Sequence, residues 1–245
     1  DQIGVIYSED AHYSMPKASK LLSLKSYVTQ VDPISRAVTK ESLENCINAA
    51  QADGVKHFIL VINMSTTMFG SVDDIGKITL WLDDLKVDYK VHVDAAFGGY
   101  IYPFSNEASL LTFQNPKINS FTLDGHKMLQ SPYGTGIYLS RKGFMEYGLT
   151  EEANYVKGKD YTLVGSRSGA NAIAIWMIMR TYGSEGWKGK IQKLLSKTDR
   201  LCSNLDEKGV EYFRNPFMNI VAIKSEFVST ALADKYMLVP DTHGE

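Results

Sequence analysis

The segment VHVDAAFGGYIYPF carries a strand to its end at Asp94 and then runs through two alanines and a pair of glycines. In open α/β sheets ligands are met at the carboxyl ends of strands, so Asp94 stands where a ligand group would arrive. An aspartate there can also simply cap the following turn. A second segment, NSFTLDGHKM, ends a strand in the same way and presents Asp124, Gly125, His126 and Lys127 in succession. Most lysines are solvated surface charges. Lys127 instead sits between Gly125 and the turn-rich run QSPYGTG, which directs it into the crevice that Asp94 faces. A lysine among apolar groups gives up its proton more easily and condenses with a carbonyl. A carboxylate and an amine on adjacent strand ends can hold an aldehyde as an imine while setting an anion against a protonated ring nitrogen. The pair is more specific than either residue.

Both residues need a sheet to present them. Short β-rich runs alternate with longer helical patterns, the signature of α/β architecture with a largely parallel sheet. Strands are expected near Ile3 to Tyr7, His57 to Asn63, Val91 to Asp94, Ser120 to Leu123 and Gly136 to Leu139. Ile75, Ile78, Leu82 and Leu85 recur at helical spacing after Asp73 and mark a crossover helix, which should be right-handed. A further helix fits Thr39 to Ala52. The segment Ala170 to Tyr182 is apolar on nearly all sides, as a helix buried between layers would be, and Trp187 to Lys208 reads as a long amphipathic helix. VEYFRNP and FMNIVAIKS then resemble two strands of a smaller unit. The expected division is a large domain over 1–207 and the start of a small α+β domain over 208–245.

Composition narrows the class. The 245 residues are 44% hydrophobic and 22% charged, enough to bury a substantial core. A net charge of -2 gives no electrostatic reason to expect nucleic acid or an anionic membrane as partner. No apolar run is long enough to span a bilayer, and DQIGVIYSED lacks the basic start and apolar stretch of a signal peptide, so a cytoplasmic location is expected. Cys46 and Cys202, far apart and without metal-ligand spacing, give no disulfide framework or zinc site.

An imine-forming lysine and an anion for a ring nitrogen are what pyridoxal 5′-phosphate (PLP) requires of a protein. The motifs HYSMPKASKLL, MSTTMFGSVDDI, VHVDAAFGGYIYPF, LDGHKM and GSRSGA, in that order, resemble the group II PLP-dependent amino-acid decarboxylases of fold type I. That group includes aromatic-amino-acid, histidine and glutamate decarboxylases. With NIVAI included, the pattern is most similar to the tyrosine/aspartate decarboxylase branch, and sphingosine-phosphate lyases share parts of it. The matches run from about Tyr7 to Ile223.

The resemblance implies roles residue by residue. His12 would stack on the cofactor ring and Ala96 would lie against its opposite face. Thr67 would stand near the ring, Asp94 would pair with the ring nitrogen, His126 would lie close to the phosphate, and Lys127 would carry the imine. The family usually has glycine where this chain has Ser65, which puts the local turn in question. Tyr155, 28 residues after Lys127 in a polar stretch from Tyr147 to Val164 that should be a mobile loop, matches a tyrosine that returns a proton to the substrate carbon. It can equally be a packing residue. Arg167 in GSRSGA resembles a family arginine, but it can equally do no more than brace the helix that follows, and it is not counted among the site residues.

Fold type I enzymes supply a Gly/Ser/Thr-rich loop for the phosphate upstream of the stacking histidine. Only eleven residues precede His12, so the chain is expected to be part of a longer protein. The implied activity is decarboxylation of an aromatic (tyrosine-like) or acidic L-amino acid by a homodimer with shared sites. An aldehyde-lyase of the sphingosine-phosphate type, an aminotransferase and a catalytically silent subunit are the alternatives.

Overall fold

The computed structural model describes residues 2–149, 158–162 and 164–240. Six strands form one sheet in the order β2-β1-β3-β4-β5-β6: β1 (Ile3–Ser8), β2 (Lys25–Thr29), β3 (His57–Asn63), β4 (Asp88–Asp94), β5 (Ile118–Asp124) and β6 (Gly136–Ser140). All neighbours are parallel except β5 and β6, which pair antiparallel. The carboxyl ends of β1, β3, β4 and β5 therefore lie along one edge of the sheet. The helices α1 (Ser14–Leu21), α2 (Lys40–Ala52) and α3 (Ile75–Asp84) connect successive parallel strands, and the short α4 (Tyr102–Ser105) follows β4.

The main core forms where α2 and α3 lay their apolar stripes on one sheet face. Leu43, Ile47 and Ala50 of α2 and Ile75, Ile78 and Leu82 of α3 pack against Ile6, Phe58, Leu60, Ile62, Val91, Val93, Ile118 and Phe121. Helix starts follow from local chemistry. The Thr39 side chain accepts from the Ser42 N–H at the start of α2, and the Asp74 side chain accepts from the Lys77 N–H at the start of α3. On the other face Val5, Tyr7 and Val61 pack against Met15 of α1 and Leu24.

A long helix, α5 (Gly169–Glu207), is broken at Gly183, whose φ of 57° departs from helical geometry. Its second half buries Trp187, Ile191, Thr198 and Cys202, one face at helical spacing. Its first half does not behave as the sequence predicts. Ile173, Trp176, Met177 and Met179 are exposed, so the segment Ala170 to Tyr182 is not sandwiched between layers of this chain. An all-round apolar composition demands a cover, and here the chain's own layers do not supply it. β7 (Tyr212–Phe213) and β8 (Ala222–Ile223) pair antiparallel as a separate two-stranded sheet, followed by α6 (Thr230–Tyr236). Among the described residues no helix is long and apolar enough to cross a membrane.

Candidate active site

Asp94 is the last residue of β4, flanked by Asn63 of β3 and Thr122 of β5. Its Oδ1 accepts from the Ala96 N–H at 3.1 Å. Beyond the strand the chain stays fastened to β5: the Ala95 N–H donates to the Thr122 carbonyl and the Asp124 N–H to the Ala96 carbonyl. Gly98 then turns the chain so closely over β3 that a Cβ there would lie 2.1 Å from the Met64 carbonyl oxygen. Asp94 and Ala96 are thus held from both sides, as preorganised binding groups must be.

Lys127 enters from the turn after β5. Its N–H donates to the Asp124 carbonyl, and its Nζ lies 2.9 Å from Asp124 Oδ2. The turn behind it is braced by the Ser131 to Thr135 hydroxyl contact at 2.5 Å and by paired backbone bonds between Gly125 and residues 131 and 135. This same turn holds up Tyr133, 91% exposed, whose ring centroid is 5.0 Å from that of His126.

His12 follows β1 and anchors its Nδ1 on the Ser14 hydroxyl at 2.8 Å. Burial lowers its pKa below the ordinary histidine value and the Lys127 charge lowers it further, while Asp94 and Asp124 oppose. The imidazole is therefore neutral at pH 7, and the charges of Lys127, Asp94 and Asp124 all bear on it. Thr67 lies in the loop between β3 and α3. Its neighbour Thr66 is buried and spends its hydroxyl on Ser71 at 2.8 Å, whereas Thr67 is exposed. The question raised by Ser65 resolves simply: Ser65 takes a φ of 82°, the left-handed conformation that glycine would adopt without strain. Arg167 pairs with Asp160 and Thr162 rather than with the cluster. Tyr155, and half of the loop expected around it (150–157 and 163), lies outside the described residues.

The residues present fit PLP. His126 Nδ1 is buried with no hydrogen-bond partner among the described residues, an orphan that a cofactor oxygen would satisfy. Ala96 offers a small side chain just beyond the strand end, and Asp94 keeps carboxylate capacity beyond its one backbone bond. Two participants escaped the sequence reading. Asp124, the ion-pair partner of Lys127, was visible as an i,i+3 acid but drew no role. His92, two residues before Asp94 and so on the same strand face, was given no role.

The family model of the pyridoxal-dependent decarboxylase conserved domain matches residues 1–223. A tryptophan decarboxylase from Clostridium sporogenes is 46% identical over 99% of this chain and 58% of its own length, and a histidine decarboxylase from Vibrio campbellii is 32% identical over 88% and 55%. The chain thus spans little more than half the length of these relatives. Among solved structures, mouse CSAD superposes with a TM-score of 0.77 at 22% identity over 97% of this chain and 51% of its own. The Streptomyces L-methionine decarboxylase gives 0.75 at 19% over 97% and 62%, and the Burkholderia pseudomallei sphingosine-1-phosphate lyase 0.75 at 21% over 88% and 49%. Their shared architecture is the fold type I sheet on which Asp94 and Lys127 stand at neighbouring strand ends. This chain belongs to the pyridoxal-dependent decarboxylase family.

Proposed function

We propose that the protein carrying this chain decarboxylates an L-amino acid to its amine with PLP, and that the substrate is aromatic or heteroaromatic. The carrying observation is Lys127 and Asp94 on adjacent strand ends beside the unpartnered His126 nitrogen. The 46% identity to a tryptophan decarboxylase supports the aromatic side; an acidic substrate is the second reading, drawn from the motif likeness to the tyrosine/aspartate branch. PLP, when bound, supplies an electron-withdrawing ring that takes up the bonding electrons released with carbon dioxide. Lys127 would hold its aldehyde carbon, with Asp124 as the ammonium's partner before PLP binds. Asp94 would pair with the ring nitrogen and keep it protonated. His12 and Ala96 would bind the ring, Thr67 would border it, His126 would meet the phosphate, and Tyr155 would supply the proton that replaces the carboxylate.

We further infer a cytoplasmic homodimer and a second unit that begins near Lys208. The exposed Ile173, Trp176, Met177 and Met179 of α5 are the sort of surface a second copy would cover. The test is to incubate the full-length protein and PLP with tryptophan, histidine, tyrosine, aspartate, glutamate and methionine and to measure amine and carbon dioxide. Borohydride reduction and peptide mapping should place the pyridoxyl group on Lys127. Aldehyde or keto-acid products in place of amines would transfer the protein to the lyase or aminotransferase reading, and a label on another lysine would remove Lys127 from its role.

A further inference from the structure

Asp94 has a hydroxyl neighbour that it does not use. Thr122 is its register partner on β5, on the same sheet face, and adjacent strands run only about 4.8 Å apart. A threonine hydroxyl so placed readily donates to a carboxylate, yet the Asp94 carboxylate takes its one hydrogen bond among the described residues from the Ala96 N–H. The Thr122 hydroxyl goes to His92 instead, 3.1 Å from Nε2, and the other ring nitrogen, Nδ1, lies 2.8 Å from the Ser120 hydroxyl. The His92 ring is stacked on Tyr138, at 6.1 Å between centroids and 23° between planes.

This arrangement depends on an irregularity. β5 carries one extra residue between its pairings with Val91 and His92: Val91 faces Ile118, but His92 faces Ser120. The Asn119 side chain fills the gap by accepting from the Val91 N–H at 2.8 Å. Without the bulge, Asn119 and Phe121 would stand beside His92 and Asp94. With it, Ser120 and Thr122 do, and Phe121 turns to the core with Val93. Bulges beside binding sites commonly re-aim side chains in this way.

We propose that His92 is a positioning residue that sequesters the Thr122 hydroxyl and so keeps the outer oxygen of Asp94 free for the ring nitrogen of PLP. The proposal rests on the reading that Asp94 meets that nitrogen. Burial lowers the His92 pKa, with Asp94 opposing, so the ring is neutral and one nitrogen donates while the other accepts. If Nε2 carried the hydrogen, the Thr122 hydroxyl would accept from it and be left to donate to Asp94. The structure shows no such bond. The proposal therefore requires the tautomer protonated on Nδ1, with Nδ1 donating to Ser120 and Thr122 donating to Nε2.

The experiment compares PLP affinity, read from the visible absorption of the bound cofactor, in the full-length wild type, His92→Phe, Thr122→Val and the double variant. Phenylalanine keeps the ring stack but returns the Thr122 hydroxyl to Asp94. A competing bond to the carboxylate should weaken PLP binding by about tenfold. Thr122→Val should bind like the wild type, and adding it to His92→Phe should restore affinity to within about twofold. The carbocyclic PLP analogue with CH in place of the ring nitrogen should show no difference among the four proteins. Nitrogen-15 spectra of the wild-type imidazole should show the Nδ1-protonated form, a readout independent of how well any variant folds. Wild-type affinity in His92→Phe, failure of Thr122→Val to rescue it, or an Nε2-protonated ring would each overturn the proposal. A wild type that binds no PLP would instead overturn the reading of Asp94 on which it stands.

Discussion

Gly98→Ala tests how tightly the Asp94 strand end is fixed. A Cβ at this position would sit 2.1 Å from the Met64 carbonyl oxygen, 2.8 Å from the Met64 carbonyl carbon and 2.9 Å from Ser65 Cβ. Ordinary contact begins near 3.4 Å, so the turn would have to lift by more than 1 Å away from β3. The obstacle is backbone and cannot rotate aside. Next to it the Met64 N–H donates to the Asp94 carbonyl at 2.8 Å, a bond that such a shift breaks. Overpacking of this kind costs about 1–3 kcal/mol and the lost hydrogen bond about 1 kcal/mol more. The expected loss is therefore about 2–4 kcal/mol in urea unfolding of the apoprotein. Because the displaced segment carries Asp94 and Ala96, PLP affinity should fall with it, and a misplacement of roughly 1 Å can lower turnover by about a hundredfold. Gly136→Ala is the control, since nothing lies within 4 Å of a Cβ there. If Gly98→Ala kept both stability and PLP affinity at wild-type levels while the protein remained folded, the claim that the β3 backbone fixes Asp94 would be refuted.

Asp73 offers a pH test. It is buried, accepts from the Asn63 N–H at 2.7 Å and Asn63 Nδ2 at 2.8 Å, and is raised by burial, with Asp10 adding to the rise, from 3.8 to about 6. The native state thus binds this proton more readily than the unfolded chain, so its contribution to stability falls as pH rises from about 4 to about 6, by about 3 kcal/mol for two units. Asp73→Asn should remove that part of the slope in unfolding curves taken across the window, and an unchanged slope would show that Asp73 is not its source. Tyr155→Phe should bind PLP like the wild type, release amine about 10²- to 10⁴-fold more slowly and form more aldehyde side product, in product analysis under air. An unchanged rate and yield would return Tyr155 to the role of a loop residue.

The parts of the fold legible in the sequence are those in which one face meets one core. β3 and β4 carry the residues that α2 and α3 bury, and the spacing of Ile75, Ile78 and Leu82 located α3 because those residues are the ones that touch the sheet. β2 was not foreseen: Lys25–Thr29 lies at the sheet edge with polar, mostly exposed residues, and its pairing with β1 rather than its composition makes it a strand. α1 was missed for a related reason, since a short segment holding Pro16 has little periodicity and gains its order from packing Met15 on β1 and β3. The first half of α5 failed in the opposite direction, because hydrophobicity records that a surface is covered and not which chain covers it.

The same distinction separates the parts of the site. The strand-end positions of Asp94, His126 and Lys127 were legible, because the local sequence marks a strand end by itself. What tunes them was not. The side chains beside Asp94 depend on how β5 is registered against β4, and that register contains a bulge at Asn119 that only the paired strands reveal. A one-residue slip would exchange Thr122 for Phe121, place an apolar ring beside the carboxylate and leave His92 without its two hydroxyl partners. Asp124 is a similar case. Its sequence position drew no role, and only the 2.9 Å approach of Lys127 Nζ shows that it pairs with the amine. The groups that touch a ligand can thus be found one segment at a time, whereas the groups that set their charge and free their lone pairs are defined across strands. Variants of His92, Asn119 and Asp124 probe that second set, and variants of Lys127 and Asp94 probe the first.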